Sequence, residues 1–189
     1  MRRYSFLFII IACSCLMQLQ AVVPSTTKIR LNNNWEFIRQ DMANIWEVMR
    51  PVKAGQPESV PLWDHVTLPH CFNAEDAVDP DLNYYQGAGW YRTSLSINNP
   101  YKEGRILLEF EGAGQQTNVY VYTTKVASHT GGYDGWVVDI TDAVKSFTGT
   151  DIYKAQFKGK IPIAVRCDNS RNTERIRSEE RRVGKECRS

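Results

Sequence analysis

Few residues in this sequence carry obvious chemistry. Three histidines are scattered at positions 65, 70 and 129, and His70 and Cys71 are neighbours, so on a strand their side chains would point to opposite faces. A glycine-rich phosphate loop and a Gly-x-Ser-x-Gly elbow are both absent. The sequence therefore predicts no metal site, no cofactor and no serine nucleophile.

Cysteine is scarce in the part of the chain that can form a domain. Of five cysteines, Cys13 and Cys15 lie in an apolar leader and Cys187 lies in a charged tail, which leaves Cys71 and Cys167. One pair of cysteines makes no disulfide framework. We expect two buried free thiols, with a Cys71–Cys167 disulfide as the alternative.

Long hydrophobic runs are lacking as well. Residues 6–17 are largely apolar and follow Arg2 and Arg3, but this run is too short to span a bilayer comfortably. It predicts a secretory signal over residues 1–21, cleaved after Ala21, and hence an exported protein, periplasmic or secreted, without a transmembrane helix. In the alternative, residues 10–13 (IIAC) form a lipoprotein box and Cys13 carries the lipid.

The basic balance of the chain comes from its ends. The chain has a formal net charge of +2, whereas residues 22–176 alone carry −2. Residues 177–189 (RSEERRVGKECRS) have no hydrophobic period and resemble the translation of a sequencing adapter; a solvated basic tail is the alternative. Because no aromatic residues are interleaved with these charges, the sequence predicts no nucleic-acid partner. We expect one domain over residues 22–172 and a truncated end with a non-native tail over residues 173–189.

Apolar stripes at helical spacing are also rare, whereas alternation is frequent. Residues 106, 108 and 110, residues 161, 163 and 165, and residues 91, 93, 95 and 97 each place apolar or small side chains on one strand face. Glycine-and-aromatic blocks stand between such strands, at residues 85–92 (YQGAGWYR), 110–114 (FEGAG) and 129–136 (HTGGYDGW). The pattern predicts an all-β sandwich with these blocks at its corners. One helical turn is expected at 141–145 and two at most at 41–49, and Pro162 suits an edge position or the start of its strand.

The loop before the first block is rich in polar and aromatic groups. Residues 73–81 (NAEDAVDPD) and 83–86 (NYYQ) combine carboxylates, amides and rings, the mixture that binds vicinal hydroxyls and stacks on a sugar ring. The acidic residues also suggest calcium, although their spacing matches no EF-hand loop, and a plain solvated loop explains them too. No pair of carboxylates stands out as the acid and nucleophile of a glycosidase.

Taken in order, several segments resemble the N-terminal sugar-binding domain of glycoside hydrolase family 2, the family of β-galactosidases, β-glucuronidases and β-mannosidases. The matching segments are 30–37 (RLNNNWEF), 63–70 (WDHVTLPH) with Asn73, 87–92 (GAGWYR), 110–113 (FEGA), 119–121 (VYV), 129–133 (HTGGY), 139–141 (DIT) and 165–169 (VRCDN). Each motif alone is weakly specific, but their order over residues 30–172 is specific.

The resemblance implies a jelly-roll β-sandwich of the galactose-binding type, here truncated, with an unpaired edge where another strand would follow residue 172. Complete members continue into an immunoglobulin-like domain and a (β/α)₈ barrel that holds both catalytic glutamates. It therefore implies that this chain is a fragment of an exo-β-glycosidase, with β-galactosidase as the expected activity, and that it contains no catalytic residue. The sequence makes no prediction of the oligomeric state.

The resemblance also assigns roles to individual residues. It implies that a loop reaches the rim of the barrel and contacts a terminal β-linked sugar, with Asn73, Asp76, Tyr85 and Gln86 as the carbohydrate-binding residues. Trp90 and Tyr91 are expected to pack in the core, and Arg92 is expected to pair with a carboxylate. The family's Asn-Gly hairpin turn is replaced by residues 122–125 (YTTK), so we expect a longer or differently shaped hairpin there.

Two alternatives to this reading differ in function. The first is a free-standing carbohydrate-binding module without hydrolase activity, suggested by the leader and by the aromatic and amide-rich loop. The second is a domain that only supports its barrel and makes no contact with sugar.

Overall fold

The computed structural model describes residues 27–50, 62–79, 81–99 and 103–170. The predicted leader, the tail and both predicted domain boundaries lie outside these residues. Residues 27–30 are exposed and have no regular secondary structure, so the architecture below concerns residues 31–170. The longest helix in the described ranges has eight residues, and none of them is long and apolar enough to cross a membrane.

Strands dominate the described residues, and three short helices accompany them. In chain order the elements are β1 (Trp35–Ile38), α1 (Ile45–Met49), β2 (Asp64–Val66), β3 (Ala88–Leu95), β4 (Leu107–Phe110), β5 (Gln116–Val121), β6 (Thr124–Thr130), β7 (Trp136–Asp139), α2 (Thr141–Thr148), α3 (Asp151–Ala155) and β8 (Ile161–Asp168).

Two antiparallel sheets make up the sandwich. Six strands form one sheet in the order β2-β1-β3-β8-β5-β6, and β4 and β7 form the other. β8 lies between β3 and β5, with Tyr91 opposite Val165 and Val165 opposite Val119. The predicted all-β sandwich is therefore confirmed.

The core lies between the two sheets because alternate side chains point to it. Ile161, Ile163 and Val165 of β8 are buried there with Val119 and Val121 of β5, as the alternation predicts. Leu108 and Phe110 of β4 pack on this cluster from the other sheet, together with Val144 and Phe147 of α2. Pro162, which cannot donate a ladder hydrogen bond, is the second residue of a central strand, so its place near the strand start agrees with the expectation.

The other face of the large sheet carries a second apolar cluster and a row of charges. Trp90, 3% exposed, packs there with Ile38, Ala164 and the α1 residue Val48. Asn44 caps α1 by accepting a hydrogen bond from the backbone N–H of Glu47. Helix α1 has five residues and so stays within the two turns predicted at most. Helix α2 is longer than the single predicted turn, and α3 was not predicted at all.

The burial and pairing of residues 90–92 and of the two cysteines test further predictions. Trp90 and Tyr91 are buried, and Arg92 pairs with Glu36 at 2.6 Å, both as predicted. Cys71 and Cys167 form no disulfide with each other, and Cys167 is a buried thiol. The expectation that both thiols are buried was wrong for Cys71, which is exposed because it lies in the loop that follows β2 rather than in a strand.

The β5–β6 hairpin is not longer than an Asn-Gly hairpin. Val121 pairs directly with Thr124, so Tyr122 and Thr123 alone make the turn. Tyr122 adopts a φ of 51°, a conformation that is costly for a bulky residue. Its ring offsets this cost because it packs on Phe147 with centroids 4.9 Å apart and on Trp46 at 5.6 Å.

Candidate functional site

The loop predicted to contact sugar comprises residues 73–87 and ends where β3 begins. Residues 73–79 form consecutive tight turns, in which Ala77 N donates to Asn73 O at 3.0 Å and Asp79 N donates to Glu75 O at 3.1 Å. Residues 83–86 then run without regular secondary structure into β3. The loop therefore has a compact turn segment and an irregular segment that lie close to each other.

Asp76 joins these two segments. Its side chain is buried, and its Oδ2 accepts hydrogen bonds from Asn73 Nδ2 at 2.9 Å and from the backbone N–H of Tyr85 at 3.0 Å. Its Oδ1 accepts from Arg39 Nη1 at 2.7 Å. The hydrogen bond from the Tyr85 backbone and the Arg39 guanidinium hold the pKa of the Asp76 carboxyl below its usual range. The carboxylate is thus kept charged and both of its oxygens are occupied.

Asn73 and Asn169 connect the loop to the end of β8. Asn73 Nδ2 also donates to Tyr85 O at 3.0 Å, and its Oδ1 accepts from Asn169 Nδ2 at 2.7 Å. Asn169 Nδ2 donates to the same Tyr85 carbonyl at 2.9 Å, while its Oδ1 accepts from Gly87 N at 2.8 Å. The side chains of Asn73 and Asn169 are therefore hydrogen-bonded to other groups of the protein.

Tyr85 points inward between these groups. Its hydroxyl donates to Ala88 O at 2.8 Å, and its ring meets the edge of Phe72. The guanidinium of Arg39 lies 5.5 Å from the ring centroid. Burial raises the pKa of the Tyr85 hydroxyl. Gly87 leaves room for this hydroxyl, because a Cβ at that position would come within 2.9 Å of the Tyr85 hydroxyl oxygen.

The structure thus brings three of the four predicted sugar-binding residues together and leaves the fourth outside. Asn73, Asp76 and Tyr85 belong to one hydrogen-bonded network, which we call the loop network, together with Arg39 and Asn169. Gln86 is exposed beside it. The geometry of the loop network is that of a support for the loop, while direct contact between these residues and sugar stays a prediction.

Arg39 and Asn169 are the members of this site that sequence reasoning missed. Arg39 is 37 residues from Asp76, and Asn169 is 96 residues from Asn73. For Asn169 a signal was present, since it closes the 165–169 motif and its amide can act as donor and acceptor at once. Arg39 gives no such local signal, because only the pairing of β1 with β3 brings it beside the loop.

A second group of charged side chains lies on the face of the large sheet that carries Trp90. Arg166 binds Asp41 through two hydrogen bonds of 3.0 and 2.8 Å and also contacts Asp168 Oδ2 at 3.1 Å. Trp90 Nε1 donates to Asp41 at 3.3 Å. The hydrogen bonds from Arg166 lower the pKa of Asp41. These carboxylates are ion-paired and ionised, so neither resembles the protonated acid that glycoside cleavage needs.

The second and third glycine-and-aromatic blocks meet at another corner. The rings of Phe110, Trp136 and His129 stack, with centroids 4.3 and 4.6 Å apart. Gly131 has a φ of 138°, a backbone conformation that L side chains rarely adopt, and a Cβ there would clash with the Asp134 carboxylate. Tyr133 is 97% exposed at the tip of this corner. The blocks are thus corner elements, as the sequence predicts.

A metal site and a ligand site in a surface hollow are the two other kinds of site considered for the described ranges. No cluster of three His, Cys, Asp or Glu side chains that could hold a metal ion occurs in them. A hollow of about 440 Å³ lies against α2 and is lined by residues that include Asp139 and Asp142. Asp139 is already bound to Arg105 at 2.6 Å and to the Thr141 hydroxyl.

Comparison with known proteins identifies the relatives of this fold and loop. The chain is 68% identical to β-glucuronidase 3 of Bacteroides uniformis, with a TM-score of 0.75 over 81% of this chain and 20% of that one. Its homologues are β-glycosidases. It is also 32% identical to a putative β-glucuronidase of Formosa agariphila, over 84% of this chain and 17% of that protein. A third relative, a β-galactosidase of Thermoanaerobacter pseudethanolicus, is 26% identical over 62% of this chain.

The chain spans about a fifth or less of the length of these glycosidases. No family model matches it.

Proposed function

We propose that this chain is the amino-terminal, sugar-facing part of a longer exo-β-glycosidase of glycoside hydrolase family 2. The 68% identity to a β-glucuronidase five times as long is the observation that carries the proposal. In this proposal the fragment performs no chemistry, because the acid and the nucleophile belong to a barrel outside the chain. Three carboxylates near the loop agree with that role, since Asp41, Asp76 and Asp168 are all bound to arginines.

For the substrate we propose a terminal β-glucuronide. The relative at 68% identity is named a β-glucuronidase and the one at 32% identity a putative β-glucuronidase, which supports this choice over the β-galactoside expected from the sequence. The β-galactoside remains the second candidate, because a relative at 26% identity is named a β-galactosidase. The loop at 73–86 would complete a pocket whose other walls lie in the barrel.

The test is to recover the gene beyond residue 172, express the complete protein and offer it nitrophenyl β-glucuronide and nitrophenyl β-galactoside. We expect release of nitrophenol from the glucuronide at least about tenfold faster, because a hydrogen bond to a charged carboxylate contributes about 1.5–3 kcal/mol. Faster cleavage of the galactoside would support the second candidate. Failure to cleave any nitrophenyl β-glycoside would defeat the enzyme proposal and favour the free-standing binding module, which calorimetry with the same sugars can detect.

We also propose that the protein is exported, on the strength of Arg2, Arg3 and the apolar run at 6–17. Fractionation of the expressing cells should find the mature protein outside the cytoplasm and shortened by about the length of a signal peptide. Recovery of the intact leader in the cytoplasm would contradict this.

A further inference from the structure

The corner where the second and third glycine-and-aromatic blocks meet lies beside the end of β8. Gln116, at the start of β5, pairs with Thr130 at the end of β6 and with Asp168 at the end of β8. Gly114 lies directly against β8, since a Cβ at this glycine would be 3.0 Å from the Cβ of Cys167. Any chain that follows the described residues therefore starts beside this corner.

Tyr133 projects from the corner into solvent. It is 97% exposed, more than any other large apolar or aromatic residue of the described ranges. The tip that carries it is held on both sides. Gly131 N donates to Gln115 O at 2.9 Å, and His129 Nε2 lies 3.2 Å from Asp134 Oδ1. Because the tip is held in place, the ring has little freedom to lose when another surface covers it, and lost freedom is a main cost of binding.

A buried donor at the same corner is unsatisfied. The indole Nε1 of Trp136 is buried, and it finds no hydrogen-bond acceptor within the described part of the chain. The ring itself is fixed, because it stacks on Phe110 and on His129. Buried donors are nearly always hydrogen-bonded in folded proteins. The described residues therefore leave this corner incomplete, independently of the exposure of Tyr133.

Resting on the function proposed above, we propose that this corner is the surface on which the rest of the longer glycosidase packs, with Tyr133 as the anchor. The occupant follows from length and position. This chain covers only 20% of the β-glucuronidase to which it is 68% identical, and chain that follows β8 begins beside the corner. Tyrosine is one of the residues that most often carry the energy of a protein interface, and its anchoring requires an apolar pocket on the covering surface.

Ile152 provides a matched control. It is an exposed apolar residue, at 38%, on helix α3, which has no buried residue. Helix α3 precedes the start of β8, whereas the corner lies at the end of this strand. Replacing Ile152 therefore removes an apolar side chain from the surface without affecting the corner.

The complete protein, expressed from the recovered gene, allows the exposure of Tyr133 to be measured directly. Hydroxyl-radical oxidation followed by mass spectrometry gives the reactivity of each side chain in the folded and in the urea-unfolded protein. We expect Tyr133 to lose most of its reactivity in the folded protein, because the covering surface excludes water from an anchored ring. Ile152 should keep most of its reactivity.

Substitution of the same residue gives a second measurement. Limited proteolysis between this domain and the rest of the protein follows the population in which the two are apart. We expect Tyr133→Ala to be cleaved about tenfold faster than the wild type, since truncation of an anchoring tyrosine changes such an equilibrium by that much or more. Tyr133→Phe keeps the ring and should be cleaved at nearly the wild-type rate, and Ile152→Ala should match the wild type.

Three results would overturn this inference. They are a Tyr133 as reactive in the folded complete protein as in the unfolded one, equal cleavage rates for Tyr133→Ala and Ile152→Ala, and protection of Tyr133 that disappears on dilution to a monomer. The last result would assign the corner to a second copy of the protein. Release of nitrophenol by the wild type would leave the proposed function intact in all three cases. An inactive wild type with a protected Tyr133 would refute the proposed function alone.

Discussion

Asn169 shows how one side chain can organise a loop far away in sequence. Its amide donates to Asn73 and to the Tyr85 carbonyl, while its oxygen accepts from Gly87 N. Such an arrangement depends on both ends of the amide, so an aspartate or an alanine cannot reproduce it. Sequence reasoning identified Asn73, Asp76 and Tyr85 as polar groups near one another, but it could not see that their partners are Asn169 and Arg39.

The amide of Asn169 is therefore open to a direct test. Asn169→Ala should lower the free energy of unfolding by about 2 kcal/mol, because it leaves partly buried groups such as Gly87 N without a partner. Urea titration followed by fluorescence measures this. The matched control is Asn118→Ala, which removes only an exposed hydrogen bond to Ser128 and should change the value by less than about 0.5 kcal/mol. Equal losses in the two variants would contradict the role given to Asn169.

At the scale of elements, strands with a clear alternation were predictable and features that depend on contacts with other elements were not. Strand β8 is predicted by Ile161, Ile163 and Val165, because the alternation of apolar residues is a local property of the sequence. Helix α3 has no buried residue, so its sequence carries no apolar stripe from which the helix could be predicted. The two-residue turn at Tyr122 was also not predictable from the sequence. The contacts that offset the positive φ of Tyr122 come from α2 and α1, which lie far away in the sequence.

The hairpin of β5 and β6 should accordingly depend on the Tyr122 ring. Tyr122→Ala keeps the strained φ but removes the contacts with Phe147, Trp46 and Phe157, so we expect a loss of about 3 kcal/mol in the free energy of unfolding. Tyr122→Phe keeps the ring and should stay near the wild type. If Tyr122→Ala were as stable as Tyr122→Phe under thermal and urea unfolding, packing would not be what holds this turn.

For the whole molecule, acid should be destabilising in two steps. Burial lowers the pKa of His70 from 6.5, while hydrogen bonds lower the pKa of Asp76 from 3.8 and, through Thr141, that of Asp139 to about 2. Each folded pKa lies below the unfolded one, so the unfolded chain binds more protons as the pH falls. Stability is complete above about pH 6.5, begins to fall below it because of His70, and falls again below about pH 4 because of the aspartates.

Free energies of unfolding at about pH 7.5, 5 and 3 measure both steps. His70 lies 2.9 Å from the Tyr91 hydroxyl in the core, whereas His65 is exposed. His70→Gln should therefore remove the upper step and His65→Gln should leave it. Stability that stays constant from neutral pH down to about pH 5 in the unsubstituted chain would refute the upper step.

The position of β8 has a consequence for how the domain is made. β8 is the last described strand to leave the ribosome, yet it is the strand that joins β3 to β5 in the large sheet. Until Asp168 has been synthesised, β1 to β3 and the β5–β6 hairpin can exist only as separate pieces with open edges. The sheet must then close by pairing residues as far apart as Ala88 and Asp168, which makes closure slow. A nascent chain would therefore expose both halves of its core until β8 has left the ribosome, and this interval is when the domain most needs protection from aggregation.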